Sequence, residues 1–336
     1  MTWDAALALL WFFAPEAGRA LSPRDPAKAV ALGLAALAAS LAFPPAALAI
    51  IIAKRHKPDP WSLTALKPIA VAAALGHLLP HPEPLAFAKG GVWSQYAPLT
   101  YYMYKLAWWA TPEAVALGGT AAATAILYQA LAAWRGAKEA ALLTLMWPTP
   151  AFQYFSHHAY TFAAIWTAWL MWEQGRKHAW LGYTALATAF HTIMGPLAAA
   201  PLLRRRAIQA LAALWAIYFA IRGAWPIGDV AAGVAAALAD PSRLAAGAIA
   251  LLDSLPTLAA LPTYLYILAT AHRGGVYYAV ALLGVVAATL AAAHVPPETV
   301  RGYVSRFIFL ALPFAGTAAW PLGLAAYIYQ ASLSAV

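Results

Sequence analysis

The sequence predicts an all-α fold, a polytopic transmembrane bundle of about 10–12 helices, and three observations lead there. Of 336 residues, 63% are hydrophobic and only 10% charged, whereas a soluble domain is about half apolar and a quarter charged. One soluble core cannot hide that excess, so much of the surface must face lipid; the mean hydropathy of +0.67 agrees. The apolar residues come in long runs separated by basic or Pro/Gly breaks. The 15 Trp and 16 Tyr supply the aromatic belts that anchor helices at membrane–water interfaces.

A span requires about 20 apolar residues, fewer in a thin bilayer. Trp3–Pro15 reads as a short retained helix, because it lacks a basic leader and a cleavage site. Residues 28–53 form a long span, broken at Pro44-Pro45 and ended by Lys54-Arg55-His56-Lys57. Residues 63–80 form a weaker span carrying Lys67 and His77. The loop from His81 to Gln95 holds Pro82, Pro84, Gly90 and Gly91, so no regular helix runs through it. A helix over 97–110 starts at Pro98, whose missing N–H is an orphan in a first turn anyway. Thr111 caps the next helix, 113–134, which Arg135-Gly136-Ala137-Lys138 closes. Spans follow at 139–155, 158–172, 179–201, 207–221, 244–269, 275–294 and 303–330, the last with Pro313 and Pro321 inside. Between Trp225 and Pro241 an Ala-rich stretch with Asp229 and Asp240 reads as an interfacial helix.

The whole chain, 1–336, is thus expected to be one integral membrane domain of a multi-pass cell-membrane protein. Its parts are N-terminal helices to residue 60, a helical core over 61–222, a loop with the interfacial helix over 223–243, and C-terminal helices over 244–336. Assigning the spans alternately puts basic residues on both sides, so orientation stays open.

The net charge is +9. Basic loops beside anionic headgroups account for it, and an anionic lipid-phosphate substrate is the other reading. Nucleic acid is not an expected partner. There is no cysteine, which removes disulfides, thiolate metal sites, iron–sulfur clusters and covalent haem. Asparagine is absent too, so no N-glycosylation acceptor exists. Few Asn and Cys beside much Ala, Pro and Arg point to a thermophilic, archaeal type of source.

Three stretches, in order, carry a family resemblance. The first is Gly91-Val92-Trp93-Ser94-Gln95-Tyr96-Ala97-Pro98-Leu99-Thr100-Tyr101-Tyr102. The second combines Met146-Trp147-Pro148 and Tyr154-Phe155-Ser156-His157-His158-Ala159-Tyr160 with Arg176-Lys177, Trp180 and Phe190-His191-Thr192-Ile193-Met194-Gly195-Pro196. The third is Val300-Arg301-Gly302-Tyr303-Val304-Ser305-Arg306-Phe307 followed by Pro313. Together they resemble the GT-C superfamily of membrane glycosyltransferases, which take a sugar from a polyprenyl-phosphate carrier. The resemblance implies a mannosyltransferase-like activity at the membrane face, with a dolichyl- or polyprenyl-phosphate sugar as donor. It also implies an acidic residue in the first external loop, acting as base or metal ligand. The loop before Tyr96 offers Glu83, and Asp59 is the alternative if that loop starts earlier. The helices before residue 60 are additional to the family's pattern.

Sugar transfer from a lipid phosphate needs a base for the acceptor hydroxyl, cations or a divalent metal for the leaving phosphate, and a wet cavity at the membrane face. Glu83 is the candidate base; the alternative is a solvated loop acid. Arg306, with Arg301 beside it at a helix start, is the candidate phosphate clamp; the alternative is a snorkelling interfacial side chain. Lys105 lies among Tyr101, Tyr102, Tyr104, Trp108 and Trp109, where it either faces a cavity or snorkels. Tyr96, Tyr101, His157 and His158 are candidate substrate contacts. Asp253, before Pro256, is either an intramembrane functional acid or part of a loop. His191 alone reads first as a hydrogen-bonded structural residue.

Competing classes are a non-catalytic subunit of the same fold in a larger membrane complex, a transporter, and a cytochrome b-like anchor. The last would need His77 and His191 at one depth, and no repeated His spacing supports bound haem. No inverted repeat of broken helices supports a transporter.

Overall fold

A computed structural model describes residues 98–100, 124, 126–147, 157–204, 209, 213, 214, 217, 221 and 227–333. They are all-α: no strand occurs among the described residues. The chain divides into two compact units, Met1–Ala198 with Gly323–Val336, and Ala199–Leu322.

In the first unit helices cover 126–135 (α1), Ala137–Leu145 (α2), His157–Glu173 (α3) and Lys177–Phe190 (α4), and a 3-10 helix, Gly195–Arg204, carries the chain past Ala198 into the second unit. Gly136, at φ +83°, parts α1 from α2, a conformation free of steric cost only for glycine. Helix α2 stops at Leu145, well short of the expected 155, because Pro148 disfavours helix in the residues before it. Helix α3 is buried on every face from Ala159 to Met171, Thr161 and Thr167 included. Thr167 satisfies its hydroxyl within the helix, donating to the Ala163 carbonyl at 2.7 Å. The end of α3 is a Schellman turn: the Arg176 N–H reaches the Met171 carbonyl at 2.8 Å and Gly175 takes φ +72°.

Helix α4 returns antiparallel along α3, with Trp180 edge-on to Trp172 (4.9 Å) and Phe190 stacked on Tyr160 (5.5 Å). It ends at Phe190, so the expected span 179–201 is broken at His191, whose backbone is extended. Pro201 lies inside the 3-10 helix that follows. Its missing N–H leaves the carbonyls three and four residues back without their donors. Those carbonyls belong to Ala198 and Leu197. They accept instead from the indoles of Trp180 and Trp169, at 3.0 Å each.

The second unit contains Ile227–Ala239 (α5), Pro241–Leu252 (α6), Leu255–Thr270 (α7), Val276–Ala291 (α8) and Pro297–Leu310 (α9), and Trp320–Leu333 (α10) begins at its edge. At 14 to 16 residues, α7, α8 and α9 are about 21–24 Å long. They run antiparallel and define two ends. At end A, Leu251, Ala291, Ala292 and Val300 form a core cluster lined by Val230 and Val295. That cluster joins the starts of α5 and α9 to the ends of α6 and α8. At end B, Tyr277 stacks on Phe314 (5.5 Å) and the Gly316 N–H donates to Thr270 Oγ1 (2.9 Å). The expected span 244–269 is broken at Asp253, because Ser254 accepts from the Thr257 N–H (3.3 Å) and Pro256 sits in the new first turn. The expected span 303–330 also divides. Its helix α9 starts earlier, at Pro297, and a 3-10 turn at Leu312–Phe314 separates it from α10.

Among the described residues no single helix is long and apolar enough to cross a membrane; Pro241–Leu252 and Thr257–Gly274 pass that test together, bent by 105° at their break. Small residues line the closest helix contacts of the second unit, beside buried large ones such as Ile267, Phe309 and Leu310. Gly233 lies against the Leu290 carbonyl and Gly284 under the Phe307 ring, while a Cβ on Gly247 would stand 2.6 Å from the Ala292 carbonyl. Ala260, Ala281, Ala288 and Ala291 are buried with them. Other large aliphatic side chains point outward: Leu238 is 80% exposed, Ile249 69% and Leu283 66%.

The α5–α6 turn is capped by Asp240, which accepts from the Ser242 hydroxyl (2.6 Å) and N–H (3.1 Å), with Arg243 3.8 Å away. The Ser242 hydroxyl, then its N–H, hold this carboxyl below its ordinary range.

Gly233→Leu should undock α5 from α8 and destabilise the protein by at least about 2 kcal/mol, read from thermal unfolding in detergent. A depressed carboxylate stabilises above its unfolded pKa and stops doing so as pH falls through its folded one. Asp240→Ala should therefore lower the Tm at neutral pH, and the gap to the wild type should close as pH falls below the ordinary carboxylate range.

Candidate functional site

End A of the second unit holds the strongest concentration of ionic groups that the structure describes around the expected site residues. Asp229 stands in the first turn of α5 and Glu298 in that of α9. Asp253 is exposed at the break between α6 and α7, and His294 is exposed after α8. The N-termini of α5, α7 and α9 all open here, and their unpaired amides favour negative charge.

Arg301 and Arg306 both lie on α9, yet they do different things. Because Pro297 is the first residue of α9, Arg301 falls in the second turn and Arg306 a further turn and more along. They do not flank a helix start, which corrects the expected geometry. Five residues place their Cβ atoms about 140° apart around the helix. Arg301 turns toward α6: one terminal nitrogen donates to the Ala250 carbonyl at 2.7 Å and lies 3.4 Å from the Asp253 carbonyl. The break at Asp253 frees those carbonyls from helical amides, and the guanidinium replaces the lost donors. Arg306 folds back toward the start of its helix and over the Tyr303 ring, 4.7 Å from its centroid. A guanidinium stacks on an aromatic face through cation–π attraction, and its planar fork is the shape that matches phosphate or carboxylate oxygens.

In the first unit, His157 opens α3, and the ring of His158 lies 5.2 Å from that of His191. His191 is buried, and its Nδ1 lies 3.3 Å from the N–H groups of both Ile193 and Met194. Accepting at Nδ1 puts the proton of a neutral ring on Nε2. His191 thereby starts the turn into the 3-10 helix, so its role at the break is structural. Thr100, in the short helical piece at Pro98, donates to the Phe190 carbonyl at 2.5 Å. That bond fixes the stretch after Tyr96 against the end of α4.

Asp59, Glu83, Tyr96, Tyr101 and Lys105 lie outside the described residues, and so does His77. Among the described residues, no three His, Cys, Asp or Glu side chains come together to hold a metal. Sequence reasoning missed the division of labour between the two arginines and the stacking of Arg306 on Tyr303. The usable signals were Pro296-Pro297, which starts the helix early, and the three-residue spacing of Tyr303 and Arg306. Comparison with protein-family models, with curated proteins and with solved structures finds no match for the chain.

Arg301→Ala leaves the Ala250 carbonyl only the longer 3.3 Å bond from the Asp253 N–H and takes the guanidinium from beside the Asp253 carbonyl, and should cost about 1–3 kcal/mol of stability. Arg306→Ala should change stability by less than about 1 kcal/mol. Chemical denaturation of the two variants in the same detergent compares them directly.

Proposed function

We propose that the chain is a multi-pass membrane protein of about ten or more short helices, and that it transfers a mannose-like sugar from a polyprenyl-phosphate carrier at the membrane face. The membrane part is supported by the small residues at the closest helix contacts and the large aliphatic side chains that face outward. Lipid tails are as apolar as leucine, so large aliphatics gain nothing by leaving lipid, and helices associate through small residues that let backbones approach. Gly233, Gly247 and Gly284 inside, with Leu238, Ile249, Leu265 and Leu283 outside, follow that rule. Exposed in water, the same face would be a large apolar patch.

The transferase part rests on one observation, the guanidinium of Arg306 stacked on Tyr303 in an otherwise apolar helix set. A planar cation is suited to a phosphate whose negative charge grows as the sugar departs. Arg306 then stabilises the leaving lipid phosphate. Arg301 keeps the neighbouring helix break in shape, and Glu83, with Asp59 as the alternative, takes the proton of the acceptor hydroxyl. A divalent cation would supply further positive charge for the departing phosphate.

Membranes containing the full chain should transfer radiolabelled mannose from a polyprenyl-phosphate donor. Arg306→Ala should slow transfer about 100-fold or more, as loss of a charge-assisted contact in the transition state does. Glu83→Gln or Asp59→Asn should abolish it. Inactivity with every lipid-phosphate sugar, together with stably co-purifying membrane proteins, would instead identify a non-catalytic subunit.

A further inference from the structure

The two ends of the α7–α8–α9 helix set carry opposite charge balance. End B gathers the end of α7, the start of α8 and the turn after α9. Arg204 stands there over the Tyr277 ring, 5.6 Å from its centroid. Arg273 and His272 are exposed in the 3-10 turn Ala271–Gly274. The described carboxylates of this unit are Asp229, Asp253 and Glu298 at end A, and Asp240 in the α5–α6 turn with Arg243 3.8 Å away; the sequence continues Arg204 into Arg205-Arg206. Aromatic side chains surround these cations: Tyr277 on Phe314, and Tyr278, whose hydroxyl donates to the Leu268 carbonyl at 2.9 Å. End A, about 24 Å away along α8, sets Asp229, Asp253 and Glu298 against Arg301. Between the ends, Leu258 and Leu265 on α7 and Leu282, Leu283 and Val286 on α8 face outward.

From this asymmetry we infer that end B is an interaction surface for the anionic phospholipid headgroups of the cytoplasmic leaflet, and that end A looks out of the cell. The inference rests on the membrane reading above. Cationic side chains near the ends of spans are retained on the cytoplasmic side, while acidic ones contribute little to orientation. An anionic leaflet attracts juxtamembrane Lys and Arg within about a Debye length. Tyr278, partly exposed at the start of α8, places an amphipathic ring at the depth where headgroups begin. Alternate assignment of spans along the sequence hides this. It counts α6 and α7 as one straight span and misses the break at Asp253, which moves every later loop to a different side.

Single-cysteine mapping tests the assignment without background, since the chain contains no cysteine. His272→Cys reports end B and Thr299→Cys reports end A, both at exposed positions. In intact expressing cells a membrane-impermeant maleimide should label Thr299→Cys, and should label His272→Cys only after the cells are opened. The reverse pattern, or equal labelling of both from outside a membrane-embedded protein, overturns the orientation. Recovery of the chain in the soluble fraction would instead overturn the membrane reading beneath it. Arg204→Gln with Arg273→Gln should make labelling of the two ends mixed, and native mass spectrometry should find phosphatidylglycerol retained by the wild type but not by the double variant. Unchanged labelling and retention would sink the headgroup role.

Discussion

Trp169, Trp180 and Arg301 perform one task in different places. Each donates to a backbone carbonyl that a helix break has deprived of its own amide. Pro201 removes the donor for Leu197 and Ala198, and the turn at Asp253 removes the donors for the end of α6. A buried or lipid-facing carbonyl left without a partner costs several times what an ordinary hydrogen bond contributes. A chain with so few polar side chains has few ways to supply one. The folding of both units therefore depends on these donors reaching across from neighbouring helices.

The same scarcity explains the packing. With glycine and alanine at the contacts, α5 lies on α8 closely enough that Gly233 meets the Leu290 carbonyl, and α6 meets Ala292 through Gly247. Close approach replaces large-residue interdigitation as the source of dispersion contact. It also brings the end of α6 within reach of Arg301. Packing, break and guanidinium form one arrangement, and the acidic and cationic side chains of end A are its by-product. Arg306 lies on another face of α9, stacked on Tyr303.

Much of the helical layout was legible in the residues. Helix α3 falls within a residue of the expected 158–172, and α8 lies inside the expected 275–294, because both are apolar runs bounded by Gly or charged residues. The long runs were misjudged wherever a break was local and polar. His191 replaces backbone partners through its own ring, Ser254 caps a new helix one residue after the old one has ended, and Pro297 starts α9 before its apolar stretch. Each is a hydrogen-bonding event that hydropathy averages away. At the candidate site, Arg301 and Arg306 were visible as a pair but not as two roles, since the partner of Arg301 lies about 50 residues away in sequence.

Composition and periodicity by themselves determined that the chain is helical, that its surface is unusually apolar, and that cations outnumber acids. Those properties are sums over residues and need no partner to be evaluated. Only the tertiary structure decided where the helices break, which carbonyls the breaks expose, which side chains answer them, and how charge divides between the two ends of the second unit. These are properties of pairs distant in sequence. Their energies arise from desolvated polar groups finding or missing one another, which a linear reading of hydrophobicity does not contain.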